Sequence, residues 1–119
     1  MKKVKIGFIG IGLMGYPMAK NLLKSKYQVK VFNRTKSKAL KLKKFGAEVC
    51  NSLKEVVSDR DLIITMLSDD KAIKKIYFNS EFLKNLKVGS TVIDMSSANP
   101  KTAINLSKLL KKYKINFLD

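Results

Sequence analysis

Residues 4–15 read VKIGFIGIGLMG, an apolar run followed at once by the glycine pattern G-x-G-x-x-G. The pattern predicts a strand over Val4 to Ile9 and a helix over Leu13 to Lys24. In the turn between them, Gly10 suits a sharp change of direction, Gly12 lets the backbone approach a ligand, and Gly15 permits close packing of helix on strand. Because the free N–H groups at a helix start attract phosphate, this order of elements predicts a dinucleotide site. The predicted contacts in the turn are Gly10, Ile11, Gly12, Leu13, Met14 and Gly15.

Strand-like and helix-like patterns alternate along the rest of the chain. The predicted strands are Val4 to Ile9, Gln28 to Phe32, Ala47 to Cys50, Asp61 to Leu67, Thr91 to Met95 and Ile115 to Leu118. The predicted helices are Leu13 to Lys24, Lys36 to Phe45, a brief one after Ser52 through Val57, Asp70 to Phe78, Glu81 to Leu86, and Pro100 to about Tyr113. Thr35, Ser52 and Asn99 are predicted helix caps, and Gly46 is predicted to end a helix. Short links between these elements indicate an α/β fold, a Rossmann-type doubly wound parallel sheet with helices on both faces.

The strongly basic composition raises a second possibility, which is binding to nucleic acid. The 119 residues carry 25 Lys or Arg against 9 Asp or Glu, a net charge of +16. Only Arg34 and Arg60 are arginines, and the lysines are spread through every predicted helix. Specific nucleic-acid contacts rely on the arginine fork, so we favour a solvated basic surface without a nucleic-acid partner. The charge should still attract anionic ligands at long range.

Length and cysteine content limit the class of protein. The chain suits one domain, and its apolar stretches are broken by charge before the roughly 20 residues that a membrane-spanning helix needs. The sequence contains no histidine, which excludes a histidine zinc site and a histidine-dependent triad. Cys50 is the only cysteine and is predicted to be a small buried residue. The lone thiol fits a reducing compartment, and strand-like alternation begins at Val4 without a leader. The two features together predict a cytoplasmic protein.

Three further segments are predicted to follow strands at the carboxyl edge of the sheet, where such folds bind ligands. They are Asn33-Arg34-Thr35, Met66-Leu67-Ser68 and Asp94 to Pro100. NAD-specific sites usually have Asp or Glu at the end of the second strand, where this chain has Asn33 and Arg34. A guanidinium pairs with a 2′-phosphate that a carboxylate would repel, so we predict NADP in preference to NAD. The alternative is a surface arginine beside a capping threonine. Asp94 to Pro100 likewise fits either an ordinary turn or a ligand contact, and its predicted place at the crevice favours contact.

These segments resemble the β-hydroxyacid dehydrogenases, the family of 3-hydroxyisobutyrate dehydrogenase and the glyoxylate/succinic semialdehyde reductases. The glycine turn is similar to the family's amino-terminal signature when taken with Pro17-Met18-Ala19 and Asn21-Leu22. Asn33-Arg34-Thr35 resembles the NADP-binding turn of the glyoxylate reductase branch. Met66-Leu67-Ser68 resembles a segment that lies along the cofactor in the family. Asp94 to Pro100 resembles the turn near the nicotinamide, with Ser97 in place of the usual Thr. The resemblance implies that the chain binds NADP for hydride transfer between the coenzyme and a small hydroxyacid or its semialdehyde.

The resemblance also defines what the 119 residues are expected to lack. Family members continue past Asp119 into a glycine-rich substrate loop, a helix with the catalytic Lys, and a helical domain used for dimerisation. The chain is therefore expected to be the NAD(P)-binding domain alone, which binds NADPH without turnover. 6-Phosphogluconate dehydrogenase has glycine and asparagine where this chain has Ser96 and Ser97, which favours the hydroxyacid group. A 6-phosphogluconate dehydrogenase-like domain and a stand-alone, non-catalytic nucleotide-binding module remain alternatives.

Overall fold

A computed structural model of the protein describes residues 4–96 and 99–119. Within these residues, six parallel strands form one sheet in the order β3-β2-β1-β4-β5-β6. The strands are β1 (Lys5–Ile9), β2 (Gln28–Phe32), β3 (Glu48–Val49), β4 (Leu62–Thr65), β5 (Thr91–Asp94) and β6 (Asn116–Leu118). The helices are α1 (Gly15–Lys24), α2 (Lys36–Leu40), α3 (Leu53–Val57), α4 (Asp70–Tyr77), α5 (Ser80–Asn85) and α6 (Pro100–Lys112), with a 3₁₀ turn at Lys43–Phe45. The predicted Rossmann-type sheet is confirmed.

The direction in which the chain crosses the sheet decides which face each helix covers. From β1 the chain moves through β2 to β3, and α1 and α2 pack over Phe8 and Val31. From β4 it moves the other way to β6, and α4, α5 and α6 pack on the opposite face over Ile63 and Val92. Crossovers between parallel strands are right-handed, so reversing the direction changes the covered face. The reversal between β1 and β4 opens a crevice at the carboxyl edge of the sheet.

On the α1 side, the cover of the sheet is incomplete beyond β4. Met95 and Leu118 are 46% and 57% exposed. An apolar groove of about 370 Å³ lies between α1 and the sheet and is lined by Met18, Ile64 and Ile93 among others. Parallel sheets usually have helices over both faces. The described helices therefore leave part of this face of the sheet, opposite α4 and α6, exposed.

The predicted helix Lys36 to Phe45 is wrong as a single element. The structure ends α2 at Leu40 and forms a separate 3₁₀ turn at Lys43–Phe45, closed by Gly46 in the left-handed conformation. Thr35 sits at the start of α2 but makes no side-chain capping hydrogen bond there, contrary to prediction. The segment has no acidic residue in its first turn and repeats lysine at helical spacing. Uncapped ends and like charges three or four residues apart both weaken a helix, which accounts for the break.

The other elements differ from prediction only at their ends. The first helix begins at Gly15, not Leu13, because residues 12–14 form the turn, and β4 covers Leu62–Thr65 within the longer predicted run. The predicted caps Ser52 and Asn99 are confirmed, since their side chains accept hydrogen bonds from the backbone N–H of Glu55 and Thr102. Among the described residues, no helix combines the length and apolar character needed to cross a membrane.

Cys50 follows β3 and is buried, as predicted, at 3% exposure. Burial, reinforced by the nearby carboxylate of Glu48, raises the pKa of its thiol from 9.0 to about 11. At pH 8 the native protein is therefore expected to react with a thiol-specific disulfide reagent far more slowly than the chain unfolded in guanidinium chloride. Rapid stoichiometric labelling of the folded protein would contradict this burial.

Candidate functional site

The glycine turn between β1 and α1 is built by close approaches of backbone to backbone. Gly10 has a φ of +102°, and a Cβ there would overlap the carbonyl oxygen of Met66. A Cβ at Gly15 would overlap the carbonyl oxygen of Gly10 and come within 3.4 Å of the Phe8 ring. By contrast, apart from Gly12 and its two chain neighbours, no atom of the described residues lies within 4 Å of the corresponding position at Gly12. Gly10 and Gly15 thus fold the turn, while Gly12 leaves its outer side open to a ligand.

The start of α1 is free of side-chain caps and of negative charge. Met14 is the N-cap residue, makes no side-chain capping hydrogen bond, and is followed by no acidic residue in the first turn. The first helical hydrogen bond runs from the Tyr16 N–H to the Gly12 carbonyl oxygen, at 2.9 Å. The N–H groups ahead of it lie at the positive end of the helix dipole, which favours an anion.

Asn33 connects the glycine turn to the end of β2. Its side-chain oxygen accepts a hydrogen bond from the Ile11 N–H at 2.8 Å, and its amide nitrogen donates to the Thr35 carbonyl oxygen at 2.9 Å. The side chain of Asn33 is therefore engaged within the protein and fixes the two loops relative to each other. Arg34 and Thr35, both exposed, extend beyond it into the crevice.

A cavity of about 280 Å³ lies at the reversal point and brings three of the predicted segments together; we call it the Arg34 cavity. Its lining includes the predicted site residues Gly10, Gly12, Asn33, Arg34, Thr35, Met66, Leu67 and Ser68. It also includes residues that the sequence analysis missed, namely Lys38, Ala72, Lys75 and Ile76, from α2 and α4. Lys38 lies one helical turn beyond Arg34, a spacing that could have indicated it.

A second cavity, of about 430 Å³, lies along the outer side of the turn. It is lined by Ile11, Gly12, Leu13, Tyr16, Lys38 and Lys41. Gly12 and Lys38 line both cavities, so the two form neighbouring parts of one crevice. Met14 and Gly15 line neither of the two cavities. Met14 is 62% exposed, and Gly15 is buried against Gly10. Ser97, the predicted contact near the nicotinamide, lies outside the described residues.

The crevice is strongly electropositive. The sequence contains no Asp or Glu before Glu48, so every charged side chain in the segment that forms β1, α1, β2 and α2 is positive. Arg34, Lys38 and Lys75 line the Arg34 cavity, and no carboxylate is among its lining residues. A concave surface with charges of one sign concentrates ligands of the opposite sign. The arrangement suits a ligand with several phosphate groups.

A buried polar cluster, which the sequence analysis did not predict, supports the wall of the crevice at the end of β4. The Thr65 hydroxyl donates a hydrogen bond of 2.8 Å to the carboxylate of Asp94, which is 2% exposed. The Tyr77 hydroxyl lies 2.7 Å from the Thr65 hydroxyl, and the Ser96 N–H reaches the same Asp94 oxygen at 3.2 Å. Burial, with a smaller contribution from the Asp94 charge, raises the pKa of Tyr77. Asp94 is therefore held by hydrogen bonds inside the protein, behind the end of β4.

Fold and site together define a dinucleotide-binding domain of the Rossmann type: a reversed parallel sheet, a glycine turn with an open helix start, and a basic cavity at the reversal point. A sequence profile described as the NAD-binding domain of 6-phosphogluconate dehydrogenase matches residues 5–119. The chain belongs to this family of NAD-binding domains, and its relatives include 3-hydroxyisobutyrate dehydrogenases and glyoxylate/succinic semialdehyde reductases.

Individual relatives match this chain along nearly all of its length. The mitochondrial 3-hydroxyisobutyrate dehydrogenase of Mus musculus is 36% identical over 118 residues, which are 98% of this chain and 35% of that protein. Glyoxylate/succinic semialdehyde reductase 1 of Arabidopsis thaliana is 37% identical over 108 residues, 90% of this chain and 37% of that protein. The structure of 3-hydroxyisobutyrate dehydrogenase from Mycobacterium tuberculosis with L-serine superposes with a TM-score of 0.91 at 26% identity, covering 98% of this chain and 40% of the other. The chain thus spans well under half the length of these relatives.

Proposed function

We propose that the chain holds NADP(H) for hydride transfer between the coenzyme and a small β-hydroxyacid or its semialdehyde. The observation that carries the proposal is the meeting of the glycine turn and Arg34 in one cavity without a carboxylate. The proposed coenzyme contacts are Gly10, Ile11, Gly12, Leu13, Met14, Gly15, Asn33, Arg34, Thr35, Met66, Leu67, Ser68 and Ser97.

The described residues fit a dinucleotide along the crevice. The space beside Gly12, which a Cβ would partly fill, would take the pyrophosphate against the N–H groups at the start of α1. Arg34 and Lys38 would hold the phosphorylated adenosine ribose at the end of β2, and the nicotinamide half would extend past Met66–Ser68 toward β5. When bound, the nicotinamide supplies or accepts the hydride, while this chain's residues bind and orient the coenzyme.

The same geometry supports NADP over NAD. A guanidinium forms paired hydrogen bonds with phosphate, and Lys38 adds a second positive charge on the same wall. Asn33, at the position where NAD-specific sites commonly have a carboxylate, uses its side chain to join the two loops and adds no negative charge. Among the described residues at the ribose end of the crevice, the charged side chains Arg34 and Lys38 are both positive and would attract a 2′-phosphate.

Replacing Arg34 with alanine is expected to weaken NADPH binding about 10-fold to 100-fold, since hydrogen bonds to a charged group contribute about 1.5–3 kcal/mol. NADH, which lacks the 2′-phosphate, should bind the variant as it binds the parent. Fluorescence titration with both coenzymes measures the change. Lys36→Ala is the matched control, because Lys36 is exposed nearby and lines neither cavity. Equal NADPH affinity in parent and Arg34→Ala would contradict the assignment of NADP.

For the complete protein, we propose a cytoplasmic oxidoreductase that acts on a small hydroxyacid or semialdehyde without a nucleic-acid or membrane partner. By resemblance, the catalytic Lys and a helical domain used for homo-oligomerisation lie beyond Asp119. The 119 residues then act as one NAD(P)-binding domain. NADPH titration followed by turnover assays on glyoxylate and succinic semialdehyde tests this division: the chain should bind coenzyme and reduce neither aldehyde. Sustained reduction of either would refute it.

A further inference from the structure

A single carboxylate joins the beginnings of α4 and α6 at the carboxyl edge of the sheet. Asp70, the first residue of α4, accepts hydrogen bonds from the side chains of Asn99 at 2.7 Å and Thr102 at 3.0 Å, and a longer one from the Asn99 N–H at 3.4 Å. Asn99 and Thr102 open α6. Asp70 is not among the lining residues of either cavity of the crevice.

A second connection between the same two chain segments lies deeper. The Ser96 hydroxyl accepts a hydrogen bond of 2.6 Å from the Leu67 N–H and donates at 3.4 Å to the Thr65 carbonyl oxygen. Leu67 and its neighbours Met66 and Ser68 line the Arg34 cavity. The link from β4 to α4 is thus attached to the end of β5 by Ser96 and to the start of α6 by Asp70.

We propose that Asp70 is a positioning residue for the nicotinamide half of the bound coenzyme, an inference that rests on the proposed function. Its carboxylate holds α6 against α4 and so fixes the wall formed by Met66–Ser68. If the residues of this wall are already fixed before the coenzyme binds, binding does not have to order them, and the coenzyme binds more tightly. The adenosine half is held at the end of β2 by Arg34 and Lys38, which lie outside the segments that Asp70 joins, so it should depend less on this connection.

The test compares two adjacent aspartates of α4 in the whole chain. Asp69 caps the same helix, accepting a hydrogen bond from the Ala72 N–H at 2.8 Å, and none of its recorded hydrogen bonds is to α6. Asp69→Ala therefore reproduces the loss of a negative charge and a helix contact without cutting the connection. Asp70→Ala cuts it, and Asp70→Asn retains an oxygen that can accept from Asn99 or Thr102.

The ligands are NADPH and adenosine 2′,5′-bisphosphate, which contains the adenosine end alone. Asp70→Ala should weaken NADPH binding about threefold to tenfold, the range expected for loss of modest hydrogen bonds. The affinity for the bisphosphate should fall by a smaller factor than that for NADPH, because Arg34 and Lys38 hold this ligand from outside the joined segments. Asp70→Asn should restore most of the NADPH affinity. Asp69→Ala should leave the ratio of the two affinities at the parent value. Equal losses for both ligands in Asp70→Ala, or none, would overturn the proposal.

Hydrogen exchange separates this proposal from the proposed function. The Leu67 N–H should exchange faster in Asp70→Ala than in Asp69→Ala, with or without ligand, because its Ser96 partner belongs to the released segment. If the parent bound neither ligand, the proposed function would fail. If the parent bound the ligands but the Leu67 N–H exchanged at the same rate in Asp70→Ala as in Asp69→Ala, the positioning role alone would be refuted.

Discussion

Gly12→Ala is expected to weaken NADPH binding about 10-fold to 100-fold, by displacing the pyrophosphate from one or more charged hydrogen bonds to the helix start. The folded chain itself should tolerate the methyl group. In the part of the chain that the structure describes, only Gly12 itself and its two chain neighbours can lie within 4 Å of the position that the new Cβ would take. Stability should therefore stay within about 0.5 kcal/mol of the parent, as for an ordinary surface substitution. Coenzyme titration and urea denaturation of the same samples measure the two effects.

Gly15→Ala is the matched control, three residues along the same turn. Its Cβ would overlap the Gly10 carbonyl oxygen, so the helix must shift away from the strand. Overpacking of this kind costs about 1–3 kcal/mol, and this variant should lose stability as well as coenzyme affinity. The account requires the two glycines to behave differently. If Gly12→Ala lost stability as Gly15→Ala does, or kept full coenzyme affinity, the open side of Gly12 would not be a phosphate site.

Thr65→Val is expected to lower the free energy of unfolding by about 2–4 kcal/mol, since it removes the partner that the Tyr77 hydroxyl and the Asp94 carboxylate share. The Ser96 N–H still donates to Asp94. The Thr65 hydroxyl is shared between the carboxylate of Asp94 and the hydroxyl of Tyr77, and all three residues are buried. Valine has nearly the same shape, so the loss should come from the missing hydroxyl and not from a cavity. Urea denaturation at neutral pH provides the measurement.

Thr65→Ser keeps the hydroxyl and removes a methyl group, so it separates the polar effect from packing. It should lose only about 1 kcal/mol, the contribution of one buried methyl group. A serine variant as unstable as the valine variant would show that packing, and not the hydrogen bonds to Asp94 and Tyr77, dominates at this position.

The first strand, the glycine turn and the first helix could be predicted from the sequence because their signals are local. An apolar run, three glycines at fixed spacing and a helical repeat lie within about 20 residues, and each role assigned to Gly10, Gly12 and Gly15 depends on the immediate neighbours. The order of alternating elements was sufficient to predict a doubly wound parallel sheet with helices on both faces.

The missed features depend on contacts between distant parts of the chain. Lys75 lines the Arg34 cavity only because α4 begins at the same edge as the glycine turn. The Thr65–Asp94 pair joins positions 29 residues apart, and Asp70 meets Thr102 across 32. A single sequence shows that these residues are polar. Their hydrogen-bond partners are known only from the folded structure, in which the sheet brings distant segments together. The break in the predicted second helix had a local cause, repeated lysines without a cap, which the apolar spacing concealed.

A crystal structure of this chain grown with NADP⁺ would test the central claim most directly. The account predicts the pyrophosphate against the backbone N–H groups beside Gly12 and the 2′-phosphate in contact with the Arg34 guanidinium. A coenzyme bound elsewhere, or a crevice closed by its own side chains at saturating NADP⁺, would contradict it.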